Sequence, residues 1–429
     1  MQILYVVKSG DTIESIAQEY NITPRRLIEE NVLDENLSLN VGQLIEITYP
    51  VETYIVQEGD SLYEIAQMHG VSVMDLLRNN SFLSDRNYLE VGEKLVLRYD
   101  NQEKRINVNG MTFSFIDEGL LRKTLPFLTY LTIMGHRVDI NGTLDDIKDE
   151  QIIEISLSYG VVPLMLIYGL TDIGQGDPTL THILFNNVEL EDRLLNNMIN
   201  MAIAKGYRGI VFGFQYVMDS DLQKYTNFIV RATERLHNEG LISAVVMIPD
   251  TFGYQPGVVY SQSYYEQIGA VVDGVILLSY QWTTTYIPEY YQTTNPYMRE
   301  YVSFAVTQMP AQKIYLGITR LAYDWELPYV EGESFVSSLT DPGVLALANQ
   351  YGSEILFDEE TGISYFEYTV NDNEHIVWFK DARHTMAMLA LVDEFGLGGI
   401  SIWNIMYYFR IYHTINTLYE IEKVLPEEI

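Results

Sequence analysis

The segment Tyr207-Arg208-Gly209-Ile210-Val211-Phe212-Gly213-Phe214-Gln215-Tyr216-Val217 is the most informative about the fold of this chain. From Ile210 to Val217, six of the eight residues are apolar or aromatic. That run is too continuous for a strand with one solvated face, and it favours a strand covered by helices on both faces. The two exceptions, Gly213 and Gln215, lie two residues apart, so they point to the same side of the strand. In a closed barrel, that side faces the axis.

Similar apolar runs recur along the chain. They alternate with amphipathic helical stretches, such as residues 190–204, where Leu194, Leu195, Met198, Met201 and Ala202 share one face. The eight strand-like runs are residues 107–116, 127–134, 161–169, 209–217, 243–249, 273–281, 313–319 and 398–405. Eight β-α units of this size predict an α/β fold, the (β/α)8 TIM barrel.

The connection between the last two strands is longer than a β-α unit requires, by roughly 60 residues. It contains two further strand-like runs, Ile355-Leu356-Phe357-Asp358 and Ser364-Tyr365-Phe366-Glu367-Tyr368. We therefore expect a small α+β insertion at about residues 320–380. The whole barrel domain is expected to occupy residues 99–429, beginning with a polar linker at 99–108.

Composition excludes several classes of protein. The chain has 429 residues, 47% of them apolar and 20% charged, which is typical of a globular protein with two or three domains. The absence of cysteine excludes disulfides and thiolate metal sites and indicates a reducing compartment. A net charge of -33 would repel nucleic acid. No apolar run reaches the length of a membrane span, and the N-terminus lacks signal-peptide features, so neither a membrane partner nor export by a signal peptide is expected.

Residues 1–49 and 50–98 are two copies of one pattern. Tyr5-Val6-Val7-Lys8-Ser9-Gly10-Asp11-Thr12 returns as Tyr54-Ile55-Val56-Gln57-Glu58-Gly59-Asp60-Ser61, Asn31 returns as Asn80, and Val41-Gly42-Gln43 returns as Val91-Gly92-Glu93. Each copy reads as strand, turn, two short helices and strand. The Asp-Thr and Asp-Ser pairs stand where a helix must begin, so their side chains can cap its free N–H groups.

This repeat closely resembles the LysM domain, a βααβ module that binds glycans containing N-acetylglucosamine. In that family the sugar lies in a groove between the loop after the first strand and the loop before the second. The glycan-binding residues that the resemblance implies are Gly10, Asp11, Thr12, Ile13, Asn40 and Val41 in one copy, and Gly59, Asp60, Ser61, Leu62, Glu90 and Val91 in the other.

Turn and cap geometry would also select Gly10, Gly59, Asp11 and Asp60 without any ligand, so a direct sugar contact by these residues is one of two interpretations. Two linked copies predict avidity on a repetitive polymer.

The barrel region resembles the family 18 glycoside hydrolases, and in particular their LysM-bearing branch associated with bacterial spores. The segments that carry the resemblance are Gly206-Tyr207-Arg208-Gly209, Leu278-Ser279-Tyr280-Gln281-Trp282, Met309-Pro310-Ala311-Gln312-Lys313-Ile314, Tyr323-Asp324-Trp325-Glu326-Leu327-Pro328-Tyr329, His375-Ile376-Val377-Trp378-Phe379-Lys380-Asp381-Ala382-Arg383 and Gly398-Gly399-Ile400-Ser401-Ile402-Trp403. Two of these runs, Tyr-Asp-Trp-x-Leu-Pro-Tyr and Val-Trp-Phe-x-Asp-Ala-Arg, are more specific than any barrel pattern.

In this family the acetamide oxygen of the sugar attacks the anomeric carbon, so the protein supplies an acid and no nucleophile. The resemblance places the acid at Gln215, the aspartate that orients the acetamide at Gly213, and a tyrosine that bonds it at Tyr280. A further acidic position falls on Val211. Only Tyr280 is kept, and a glutamine cannot give up a proton at accessible pH.

The resemblance also implies sugar-binding residues at the mouth of the barrel. Trp403 stands where the family stacks a sugar ring, and Gln281 and Trp282 are expected beyond strand six. Ordinary barrel packing is the alternative for Tyr280 and Trp403.

Other carboxylates could replace the missing acid. Asp219 and Asp221 follow strand four and Asp250 follows strand five, although loop or helix-cap roles explain each of them as well. The seven histidines show no paired spacing, and no P-loop or dinucleotide glycine pattern is present, so neither a metal nor another cofactor is expected.

Two hypotheses follow. The first is a pseudoenzyme that binds peptidoglycan or another N-acetylglucosamine-containing glycan. The second is an active spore-cortex N-acetylglucosaminidase with a substitute acid. The sequence favours the first, because the acid and the acetamide-orienting residue are both absent. The resemblance implies a location in the spore coat or cortex, reached from the mother-cell cytoplasm, with spore-layer proteins as further partners; the cell wall is the alternative location.

Overall fold

The computed structural model describes residues 2–34, 36, 38–86, 88–100, 104–169, 178–214, 217–247, 262–278, 294–319, 321–330, 334 and 336–426. Its strands are β1 (Gln2–Val6), β2 (Leu44–Thr48), β3 (Glu52–Ile55), β4 (Lys94–Arg98), β5 (Arg105–Phe113), β6 (Tyr130–Arg137), β7 (Val162–Tyr168), β8 (Gly209–Phe212), β9 (Ile242–Met247), β10 (Gly274–Leu277), β11 (Ile314–Thr319), β12 (Ala322–Leu327), β13 (Val336–Leu339), β14 (Leu356–Asp358), β15 (Ile363–Val370), β16 (Asn373–Phe379), β17 (Gly399–Trp403) and β18 (Glu420–Ile421). Its α-helices are α1 (Ile13–Glu19), α2 (Pro24–Asn31), α3 (Leu62–His69), α4 (Val73–Asn79), α5 (Glu118–Thr124), α6 (Glu150–Ser158), α7 (Pro178–Phe185), α8 (Val188–Lys205), α9 (Leu222–Asn238), α10 (Gln262–Val271), α11 (Thr294–Gln308), α12 (Asp341–Tyr351), α13 (Ala382–Phe395) and α14 (Ile411–Leu418).

Eight parallel strands form a closed barrel. Strands β5 to β11 are hydrogen-bonded in chain order, β17 follows β11, and β17 also pairs with β5, which closes the cylinder. The predicted (β/α)8 barrel is therefore confirmed. The predicted strand at residues 209–217 was too long, since β8 ends at Phe212. The Gly213 N–H donates one more hydrogen bond, at 2.8 Å, to the Ile167 carbonyl oxygen.

Side chains of the barrel strands alternate between two apolar layers, as expected for strands buried on both faces. Val211 belongs to the cluster inside the barrel, together with Leu166 of β7. Its neighbours Ile210 and Phe212 belong to the layer between the strands and the helices. This alternation places Gly213, two residues after Val211, on the axis side.

The two repeats fold as expected, each with a two-stranded antiparallel sheet and two helices. The Asn31 side chain accepts from the Glu46 N–H (2.7 Å) and donates to the Glu46 carbonyl oxygen (2.8 Å), and Asn80 makes the same pair of bonds with Val96. Each buried asparagine thus joins the second helix of its repeat to the second strand, which explains why this residue recurs.

The insertion between β11 and β17 is a five-stranded sheet with the order β13-β12-β16-β15-β14, packed with helix α12. The expected α+β insertion is therefore present. Asp381 marks the return from this sheet to the barrel: its carboxylate accepts from the Arg383 N–H at the start of α13 and from the Ser364 hydroxyl of β15, both at 2.8 Å. In the Val-Trp-Phe-x-Asp-Ala-Arg run, the Asp-Ala-Arg part therefore has a structural role, since its aspartate links the insertion sheet to helix α13. Among the described helices, none is both long and apolar enough to cross a bilayer.

Candidate functional sites

Gly213 lies at the carboxyl end of β8, where the family's orienting aspartate is expected. A Cβ atom built on Gly213 would lie 3.1 Å from Cδ1 of Leu166 and 3.2 Å from the carbonyl oxygen of Ile167. An apolar side chain from the neighbouring strand therefore packs against this position. The three atoms nearest to this Cβ belong to Leu166 and Ile167.

Five predicted site residues fall outside the described part of the chain: Gln215, Asp250, Tyr280, Gln281 and Trp282. Their predicted roles in acid catalysis or sugar binding stay predictions.

Trp403 is the last residue of β17, half-buried at the mouth of the barrel. Its ring meets the ring of Phe113 edge to face, with centroids 6.1 Å apart and planes at 73°. Phe113 in turn stacks on Phe115, at 5.3 Å and 17°, and Phe115 is 74% exposed. The three rings form a row that ends at an exposed side chain. Flat aromatic faces of this kind suit the CH faces of sugar rings.

Phe113 and Phe115 were missed from the sequence. The signal that could have found them is the alternation of Met111, Phe113 and Phe115 in the first predicted barrel strand, residues 107–116, although β5 ends at Phe113. Residues spaced by two share a face, and the closure of the barrel places β5 beside β17 and its Trp403.

Asp221, one of the candidate substitute acids, is 1% exposed and already bonded. Its carboxylate accepts from the Asn186 side chain at 2.9 Å and lies 2.6 Å from Nδ1 of His182. The hydrogen bond from Asn186 is the main reason why the pKa of Asp221 lies below its ordinary value. Although Asp221 occupies the N-cap position of α9, its side chain makes no cap hydrogen bond. The ionised Asp221 side chain therefore links α7 to the start of α9. Asp219, the other described candidate, is exposed in a short 3-10 turn.

In the repeats, the side chains of Asp11 and Asp60 accept hydrogen bonds from nearby residues of the same repeat. Asp11 accepts from the Lys8 N–H (2.8 Å) and the Tyr5 hydroxyl (2.7 Å), and Asp60 accepts in the same way from Gln57 and Tyr54. The backbone bond from Lys8 is the largest cause of the lowered pKa of Asp11. These bonds close the turn after the first strand and so favour the turn interpretation of both residues.

The residues that follow the two aspartates cap the first helix of each repeat. Thr12 accepts from the Ser15 N–H and Ser61 accepts from the Glu64 N–H. Gly10 and Gly59 both adopt positive φ, near +91° and +92°, and a Cβ atom on either would have no neighbour within 4 Å. Ile13 and Leu62 are half-buried at the start of their helices.

The second loops of the two grooves differ. In the first repeat, Asn40 is 6% exposed and Val41 is half-buried, whereas Glu90 and Val91 of the second repeat are exposed. The second loops of the two copies therefore differ in their exposure to solvent. Among the described residues, no cluster of three or more potential metal ligands is present.

The chain is similar to two known protein families and to a bacterial enzyme. The family described as glycosyl hydrolases family 18 matches residues 173–407, and the LysM domain matches residues 5–48 and 54–98. The cortical fragment-lytic enzyme of Bacillus subtilis (strain 168) is 32% identical over 414 residues, covering 94% of this chain and 95% of that protein.

Two solved structures are similar over almost the whole chain. The spore cortex-lytic enzyme SleL of Bacillus cereus gives a TM-score of 0.78 at 27% identity, covering 98% of this chain and 99% of that chain. SleL of Bacillus megaterium QM B1551 gives a TM-score of 0.79 at 26% identity, with the same coverage. The likeness therefore includes the repeats, the barrel and the insertion.

Proposed function

The chain belongs to family 18 of the glycosyl hydrolases and carries two LysM domains, and from this premise we propose that it binds N-acetylglucosamine-containing peptidoglycan without hydrolysing it. The observation that carries the proposal is that the chain has Gln215 and Gly213 at the two positions to which the family resemblance assigns the acid and the orienting aspartate. A glutamine can donate a hydrogen bond to a glycosidic oxygen, but it cannot protonate a leaving group. Loss of general acid catalysis typically costs roughly 10²–10⁴-fold in rate, and loss of the orienting charge removes an electrostatic contribution as well.

The surroundings of Gly213 support the proposal. Leu166 packs 3.1 Å from the position of a Cβ there, inside an apolar cluster that includes Val211. Burying a carboxylate against such side chains without hydrogen-bond partners is unfavourable. An apolar neighbour at this position favours an uncharged residue there.

The hydrogen bonds of Asp221 argue against this residue as the substitute acid. A general acid needs a pKa near the working pH, whereas the bonds to Asn186 and His182 hold the Asp221 carboxylate ionised. Asp219 and Asp250 stay as the candidates of the alternative function, an active N-acetylglucosaminidase.

The relatives suggest where the protein acts. The Bacillus subtilis relative is a cortical fragment-lytic enzyme, and the Bacillus cereus and Bacillus megaterium structures are spore cortex-lytic enzymes. Because of that likeness, we propose a location in the spore coat or cortex, with peptidoglycan as the ligand and spore-layer proteins as further partners.

Purified spore cortex fragments provide the test. The protein is incubated with the fragments, reducing ends are counted, and the fraction that co-sediments is measured in parallel. We expect co-sedimentation with no release of reducing ends, while the Bacillus subtilis relative serves as the positive control for release. Reducing ends that disappear in Asp219→Asn or Asp250→Asn would instead establish a substitute acid and an active glycosidase.

A further inference from the structure

The insertion covers the second groove loop of the first repeat. The Asn349 side chain donates to the Ser38 carbonyl oxygen (2.9 Å), the Asn40 side chain donates to the Leu345 carbonyl oxygen (3.1 Å), and the Ile355 N–H donates to the Val41 carbonyl oxygen (2.8 Å). These three hydrogen bonds occupy polar groups of the loop, which are then not available to a ligand.

The equivalent loop of the second repeat is open. Tyr88 and Val91 are 60% and 69% exposed, and Glu90 is exposed as well. A Cβ atom on Gly92 would have no atom within 4 Å, whereas one on Gly42, its counterpart in the first repeat, would lie 1.8 Å from the Ile355 carbonyl oxygen. The same backbone turn therefore faces solvent in one copy and protein in the other.

The two loops also differ in chemistry. Tyr88 of the second repeat corresponds to Ser38 of the first, so only the second loop has an aromatic ring. The Arg86 guanidinium lies 5.2 Å from the centre of the Tyr88 ring and is itself held by Glu93 and by Glu90. One ring face is thus supported while much of the side chain stays in solvent, which is an arrangement that can stack on a sugar.

The first repeat is fastened at a second place. The buried Glu46 carboxylate accepts from the Thr414 hydroxyl (2.8 Å) and lies 3.3 Å from Nε of Arg410, both at the start of α14 or just before it. The counterpart of Glu46 in the second repeat is Val96, which cannot make these contacts. The second repeat contacts the barrel through other groups, such as Arg78, whose side chain donates to the Pro126 carbonyl oxygen (3.1 Å). The covered loop, rather than attachment to the barrel, therefore distinguishes the first copy.

We propose that the second repeat alone is the glycan-binding LysM domain, with Tyr88 as the residue that stacks on N-acetylglucosamine, and that the first repeat is a docking module fixed to the insertion and the barrel. This inference rests on the proposed glycan-binding function. It replaces the expectation that both copies act together by avidity.

The test uses the full chain and a β-1,4-linked hexamer of N-acetylglucosamine. Hydrogen exchange is measured with and without the hexamer, and affinity is measured for the parent, Tyr88→Ala and the matched change Ser38→Ala. We expect the hexamer to protect residues 57–62 and 88–93 and to leave residues 8–13 and 38–43 unchanged. Tyr88→Ala should weaken binding to the second repeat about tenfold, while Ser38→Ala stays within about twofold.

Hexamer-dependent protection of residues 8–13 and 38–43, or an equal loss of affinity in both variants, would overturn the inference while leaving glycan binding intact. A hexamer that protects neither repeat, together with no co-sedimentation on cortex fragments, would overturn the glycan-binding function as well.

Discussion

Gly42 and Ile355 are so close that a Cβ atom on Gly42 would lie 1.8 Å from the carbonyl oxygen of Ile355. The contact joins two residues more than 300 positions apart in the chain and brings the first repeat onto the insertion. Gly92, in the same turn of the second repeat, has a similar φ, +89° against +83°, and no neighbour within 4 Å of such a Cβ. Comparing substitutions at Gly42 and Gly92 therefore separates the effect of the positive φ on stability from the effect of the contact with Ile355.

Gly42→Ala and Gly92→Ala should therefore differ in stability. Both replacements meet the cost of a positive φ, but only Gly42→Ala also forces the insertion away from the repeat. Overpacking of this kind costs about 1–3 kcal/mol, so we expect Gly42→Ala to lower the free energy of unfolding by that much more than Gly92→Ala. Urea unfolding measures the difference, and hydrogen exchange at residues 38–43 reports whether the loop has been released. Equal destabilisation by the two changes would show that the contact contributes nothing.

Trp403 provides the second prediction. If the row formed by Trp403, Phe113 and Phe115 stacks on sugar, Trp403→Ala should weaken binding of the N-acetylglucosamine hexamer to the barrel about tenfold, or ~1.4 kcal/mol. The measurement is made in a Tyr88→Ala background, so that the second repeat contributes little. Trp403→Phe keeps an aromatic face and is expected to retain most of the affinity.

Unchanged affinity in Trp403→Ala would contradict a stacking role for this residue. Phe115→Ala is a useful companion change, because Phe115 is largely exposed and its replacement should leave the fold intact.

The third prediction restores the two missing groups. Gln215→Glu combined with Gly213→Asp should create measurable release of reducing ends from cortex fragments, whereas each single change should do far less. The two groups act on one transition state, so their effects are not additive. A protein in which Gln215→Glu alone matches the double variant would show that the orienting aspartate is dispensable.

The fold sets a condition on that experiment. Because Leu166 lies against Gly213, the new aspartate is expected to overpack the barrel and lower the free energy of unfolding by about 1–3 kcal/mol. Leu166→Ala added to the double variant should create room, and thermal melting of all variants identifies those that stay folded. Folded variants that carry both groups and release no reducing ends would refute the idea that only these groups were lost.

The sequence was sufficient for much of this architecture because the signals were local. The apolar run around Val211, the Thr12 and Ser61 caps, and the recurrence of Asn31 as Asn80 each depend on residues near in sequence or on one repeated unit. These features predicted the barrel and the two βααβ units.

The unequal surroundings of the repeats could not be predicted in this way. Gly42 and Gly92 stand in the same local pattern, and the difference between them comes from Ile355, which belongs to a distant part of the chain. The contact between Leu166 and Gly213 was likewise not predictable from local sequence. It arises because β7 and β8 lie side by side, and the residues that pairing brings together are far apart in the chain.

A buried polar cluster outside the barrel interior carries the last prediction. The Asp149 carboxylate lies 2.9 Å from Nε2 of His136, and it accepts hydrogen bonds from Nζ of Lys205 at 2.7 Å and from the Tyr207 hydroxyl. The side chains of His136 and Asp149 are fully buried. Burial alone would raise the pKa of Asp149, but the hydrogen bonds from His136, Lys205 and Tyr207 outweigh it and lower the pKa.

Asp149→Asn should lower the free energy of unfolding at neutral pH by about 1.5–3 kcal/mol, the usual contribution of hydrogen bonds to a charged group. The matched control is Asp146→Asn, which also removes a carboxylate near Lys205 (2.8 Å) but from a side chain that is 76% exposed, so its effect should stay within about 0.5 kcal/mol. Since the pKa of Asp149 is lower in the folded than in the unfolded chain, its contribution is present above the ordinary aspartate pKa of about 3.9 and disappears as the pH falls through that value toward the folded pKa. Urea unfolding at several pH values should therefore show the parent and Asp149→Asn converging on acidification. A difference that persists undiminished at low pH would mean that the charge of Asp149 is not the source of the stability.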